Sequence, residues 1–91
     1  HAEVAMIYNN LGRLLHDLSE HERAREYLEK SLAIYLRIYG KEHSHIAISY
    51  NNLGLLLKDL GEHEQARACF EKRDSIEQGI EEKRGSAGEE E

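Results

Sequence analysis

At 91 residues the chain has room for one domain with one modest core, and its formal charge is −6. With 40% hydrophobic and 33% charged residues it is too apolar to be disordered and too charged for a membrane span, and no apolar run approaches the roughly 18 residues that a transmembrane helix needs. The excess of 18 acidic over 12 basic residues argues against a nucleic-acid partner, because neutralising phosphates takes a basic surface. A single cysteine, Cys69, leaves no intrachain disulfide and fits a reducing, cytoplasmic compartment. The chain begins at His1 without a basic-then-apolar leader, so it reads as a fragment of a longer protein with any targeting signal outside it.

No proline and seven glycines fit an all-α fold with glycine at helix breaks. The first element is a helix over residues 3–17, in which Val4, Ile7, Tyr8, Leu11, Leu14, Leu15 and Leu18 follow the i, i+3, i+4, i+7 spacing of one buried stripe. Leu18-Ser19-Glu20 breaks it. A second helix over 21–39 carries Ala24, Tyr27, Leu28, Ser31, Leu32, Tyr35 and Ile38, and Gly40 ends it. Ser44 is expected to cap the third helix, over 45–59, where Ile46, Tyr50, Leu53, Leu57 and Leu60 repeat the first stripe. Leu60-Gly61-Glu62 is the second break, and Gly61 suits the left-handed conformation there better than its counterpart Ser19. The fourth helix, over 63–80, thins to Ile76 and Ile80 at its end.

The chain is a repeat of 42 residues. Tyr8-Asn9-Asn10-Leu11-Gly12 falls on Tyr50-Asn51-Asn52-Leu53-Gly54, and 18 of 30 positions agree between residues 1–30 and 43–72. Only 3 of 12 agree between 31–42 and 73–84, so the second copy loses its apolar end. Gly12 and Gly54 lie inside helices, where glycine costs about 1 kcal/mol against alanine. A cost accepted twice at one register implies close helix approach, with Ala24 and Ala66 as the small residues facing it.

Tyr8, Leu11-Gly12, Leu15, Ala24, Leu28 and Ser31, and in the second copy Tyr50, Leu53-Gly54, Leu57, Ala66 and Phe70, resemble the tetratricopeptide repeat. The longer period and the Asn-Asn-Leu run are similar to its kinesin light chain and nephrocystin-like subtype. The resemblance implies two tandem helix-turn-helix hairpins in a short right-handed α-solenoid: residues 1–42, then 43–84 with a degenerate polar end, then a flexible acidic tail at 85–91. It departs from the pattern at Arg73, where a small residue is expected, at Asp74, where a leucine is expected, and in the proline-free loop Gly40–His43.

The resemblance also implies a function, a scaffold that binds an extended peptide or partner segment in a concave groove lined by the first helix of each repeat. Met6, Asn9, Asn10 and Arg13, with Ile48, Asn51, Asn52, Leu55 and Lys58, are its candidate lining on the face opposite the leucines. Asparagine offers a donor and an acceptor, which suits recognition of peptide backbone. The alternative reading is that the pairs bond only neighbouring helices or water. A clamp for a terminal carboxylate is not expected, because Asn9 and Asn51 stand where it needs Lys or Arg. The alternative is self-assembly as a homodimer through Tyr35, Leu36 and Tyr39. His21 and His63 recur in a helix-start turn and read as structural, and His43 and His45 have no Cys or acidic partner at zinc-ligand spacing. No triad or phosphate loop is present, and neither enzyme, cofactor nor metal is expected, a histidine-dependent metal site being the distant third reading. Residues 71–91 carry eight acids and four bases, and read either as a capping helix or as a frayed end that folds on a partner.

Overall fold

The computed structural model describes residues 1–89, with side chains to Arg84. Four helices follow one another: α1 (Ala2–Asp17), α2 (His21–Tyr39), α3 (Ser44–Asp59) and α4 (His63–Glu89). α1 packs on α2 and α3 on α4 as helical hairpins, and the hairpins meet mainly where α2 lies against α3.

Both hairpin turns close in the same way. The amides of Ser19 and Glu20 donate to the carbonyls of His16 and Leu15, and those of Gly61 and Glu62 to Lys58 and Leu57. This double bond pattern requires a left-handed residue after the helix. Gly61 takes it at φ 81°, and Ser19 takes it at φ 62° despite its Cβ. At the start of α3 the expected cap is displaced by one position. His43 is the cap, its ring Nδ1 accepting from the amide of His45, and Ser44 is the first helical residue.

The larger core cluster joins Leu15, Ala24 and Leu28 of the first hairpin to Leu53, Leu56, Leu57, Ala66 and Cys69 of the second. A smaller one joins Ala5, Tyr35 and Ile46. Leu28, Ile46 and Leu56 are essentially fully buried, and burial of such side chains contributes about 1.5–3 kcal/mol each. The close approach at the glycines is real. A Cβ on Gly12 would stand 2.7 Å from the Leu28 side chain, and one on Gly54 would stand 2.7 Å from the Phe70 ring.

Three further expectations are corrected. The leucine stripe of α1 is not one buried face: Val4, Ile7, Leu14 and Leu18 are exposed at 40–60%. Their counterparts on α3 are Ile46, Ser49, Leu56 and Leu60. The first three of these are buried and Leu60 is half-buried, packed on the first hairpin. A stripe that wide faces two neighbours, and α1 packs broadly on α2 alone, touching α3 only along an edge. Second, Tyr35 is not free for self-association. It is 4% exposed, packed with Ile46, and burial pushes its phenol above the ordinary value, with Tyr39 adding to the shift; Leu36 is half-buried and Tyr39 stacks on His43. Third, α4 runs to Glu89 rather than ending near Ile80. Glu, Gln, Lys and Arg dominate residues 77–84 and favour helix without an apolar face, which carries α4 past Ile80. Residues 85–89, expected as linker and tail, fall within that span, and Glu90 and Glu91 lie outside the described residues.

Candidate functional site

Three shallow depressions of about 250, 330 and 350 Å³ join along α3. Asn51 is shared by the first two, and Ala47, Ile48 and Glu77 by the last two. They form one trough from Arg13 and Leu55 at one end to Ser44 and Arg84 at the other. α3 provides one wall, the end of α1 closes the first section, and α4 supplies the far wall with Arg73, Glu77 and Ile80.

Of the residues expected in a groove, Arg13, Ile48, Asn51, Asn52 and Leu55 line this trough. Met6, Asn10 and Lys58 are exposed but do not line it. Asn9 lies beneath the surface at 8% exposure and accepts a 3.0 Å hydrogen bond from Asn52 Nδ2. That bond ties the two repeats together, so one acceptor and one donor of the asparagine set are already used. Asn51 Oδ1 accepts from Arg73 Nη1 at 2.6 Å, leaving the amide donors of Asn51 facing the trough.

The second hairpin closes differently from the first because of Arg73. In the first, Ser31 Oγ donates to the carbonyl of Ala5 at 2.7 Å and the helices lie close. Arg73, at the matching place, is too large for that contact. Its guanidinium sits 5.0 Å from the Phe70 ring centre and reaches Asn51 and Asp74. The wall residues of α4 escaped notice in the sequence because the repeat register fails there. The one available signal was Arg73 itself, in a slot that asks for a small side chain.

Further ties cross the junction. Arg25 donates to Glu62 at 3.0 Å, and His16 Nε2 lies 2.6 Å from Asp59 Oδ2. His21 stands beside His16, with ring centres 5.9 Å apart. Cys69 is packed in the core, and burial pushes its thiol above the ordinary value although Lys72 pulls the other way, which suits packing rather than attack. No helix among the described residues is long and apolar enough to cross a membrane.

The paired hairpins, the twice-used Gly–large-residue contact and the small Ala24 and Ala66 are the features of one repeat family. A tetratricopeptide-repeat model matches residues 3–73. The chain belongs to the tetratricopeptide-repeat family. The match spans both hairpins and stops at Arg73, where the register departs. No curated protein matches the chain. Tetratricopeptide repeats are non-catalytic protein–protein interaction modules, and that general role applies to this chain.

Proposed function

We propose that the trough along α3 holds an extended segment of a partner protein, on a scaffold of two repeats of the 42-residue subtype, 1–42 and 43–84. The period and the doubled Asn-Asn-Leu-Gly run support the subtype. The observation that carries the reading is the overlap of the three depressions, which are lined by apolar side chains (Ile48, Leu55, Ile80) and polar ones (Asn51, Arg73, Glu77) drawn from α3 and α4. Polar groups spaced along a groove suit peptide amides, and the apolar positions select side chains. Arg13 favours an acidic residue at the α1 end.

The probe is a set of extended peptides combining Leu or Phe with Asp or Glu, selected on the wild-type chain from a randomised library. Ile48→Glu and Leu55→Glu are expected to weaken the selected peptides by at least tenfold, about 1.4 kcal/mol, with helicity unchanged. Asn10, outside the trough, is the internal control, and Asn10→Ala should leave binding intact. Peptides that bind both groove variants as they bind wild type would overturn the reading.

A second reading rests on α1. Val4, Ile7, Leu14 and Leu18 present an apolar face whose counterpart on α3 is covered by the first hairpin. A second copy is the occupant this chemistry fits. Head-to-tail stacking would need an apolar flank on α4, and α4 has Asp74, Glu77, Gln78 and Glu81 where α2 has Leu32, Tyr35, Leu36 and Tyr39. Two α1 faces packed across a two-fold axis have no such mismatch.

A further inference from the structure

We infer that His16, His21 and Asp59 form a zinc site at the junction of the two hairpins. His16 is in the last turn of α1, His21 is the first residue of α2, and Asp59 is the last residue of α3. The tight turn through Ser19 brings the two imidazoles side by side, and the packing of α2 on α3 delivers the carboxylate. One ligand atom from each residue lies within 4.8 Å of the other two. Both histidines are half-buried, which limits their rotamers, while the Asp59 side chain is 54% exposed and free to adjust.

The donor set selects the ion. Two imidazole nitrogens and one carboxylate oxygen suit zinc, whereas calcium and magnesium prefer oxygen alone. Zinc bonds of about 2.0–2.2 Å in a tetrahedron set ligand atoms about 3.3 Å apart. The present separations, from 2.6 Å for His16–Asp59 up to the 4.8 Å limit, bracket that value. Closing the site requires shifts of about 1–1.5 Å or less to reach that geometry, to which the exposed Asp59 side chain can contribute. The hydrogen bond between His16 Nε2 and Asp59 is exchanged for two bonds to the ion. Three protein ligands leave the fourth position to water.

The repeat shows why the other hairpin turn lacks the site. His21 recurs as His63 and Asp17 as Asp59, but His16 is replaced by Lys58. A cation stands where the second corner would need its first ligand. The carboxylate also comes from the hairpin that follows the two histidines, so the site exists only where hairpins stack. Zinc there would staple α1 and α2 to α3.

The full 91-residue chain, titrated with zinc chloride in a calorimeter at neutral pH, is expected to bind one ion and to melt at a higher temperature as zinc is added. His16→Gln, His21→Gln and Asp59→Asn should each weaken binding by tenfold or more, since even the loss of a ligand's supporting partner costs about 10–100-fold. Each should abolish the melting shift. The doubly substituted His43→Gln, His45→Gln chain should bind as wild type, separating this corner from the other adjacent histidines. Cobalt(II) should give the intense visible bands of a four-coordinate ion in wild type and lose them in Asp59→Asn. Because all three positions lie at helix ends, circular dichroism without metal should match wild type. If a glutamine variant misfolds, the cobalt spectrum of wild type decides: weak six-coordinate bands overturn the site. Equal zinc affinity in wild type and Asp59→Asn, or loss of binding with His43 and His45, also overturns it.

Discussion

Ser19 holds φ 62° at a position that its repeat partner gives to glycine. A left-handed L-residue carries about 1–2 kcal/mol of strain. Ser19→Gly removes it but loosens the unfolded chain. The expected net gain is about 0.5–1 kcal/mol, or a melting point about 2–8 °C higher for a domain this size. The reverse change, Gly61→Ser, should lower it, and calorimetric melting checks both. Gly12 and Gly54 make a second test at this scale. Alanine at either gains about 1 kcal/mol of helix propensity but meets a side chain at 2.7 Å. Leu28 is 1% exposed and has nowhere to go, so Gly12→Ala should destabilise by about 1–2 kcal/mol net of that gain. Phe70 is only partly buried and can swing outward, so Gly54→Ala should cost less. Equal denaturation midpoints for the two variants would contradict this ranking. Both glycine contacts were readable in the sequence, because a residue that is poor in helices recurred at one register. The burial of Asn9 was not, since its bond to Asn52 depends on how far apart stacked helices lie, which no spacing within one helix reports.

At the scale of the element, periodicity names faces but not neighbours. The stripe on α1 has the same period as the one on α3, and only the packing of α2 shows that one is covered and the other open. α4 was legible as a helix to Ile80, but its repeat register was lost from Arg73 on, where its role as a groove wall begins. Its distal part is tied back by Lys83, which bonds and attracts Glu42 in the loop between the hairpins. Those two effects, the hydrogen bond first, hold the Glu42 carboxyl below the usual carboxylate range. A depressed carboxylate contributes fully above its unfolded value, and the contribution is lost as pH falls through the folded one. Acidification is therefore expected to release the end of α4 before the hairpins melt. Amide protection over residues 80–84, taken relative to the intrinsic exchange rate at each pH, should fall in acid, and Lys83→Ala should show the same fall at neutral pH. Exchange in the variant that matches wild type at neutral pH would show that the tie does not hold the helix.

For the whole molecule, the two flanks differ in kind. The α1 flank is apolar and the matching part of α4 is acidic, so the two flanks suit different neighbours. Sedimentation equilibrium is expected to show a dimer forming with rising concentration. Ile7→Glu combined with Leu14→Glu should stay monomeric with unchanged helicity, because both side chains are already more than half exposed at 59% and 53%. Monomer mass throughout for wild type would remove the second copy as the occupant of this face.

The hairpins join mainly through one plane, α2 against α3, across the short loop Gly40–His43. A pull applied to the two ends of the chain has to pass through that plane. Each hairpin resists as a unit with its own closed turn, whereas the plane opens by peeling, one side-chain layer after another. Under load the molecule is expected to yield there first, lengthening as two intact hairpins swing apart before any helix unwinds. Whatever grips α1 and α3 at the same time, a peptide across the trough or an ion at the corner, acts as a latch on that hinge.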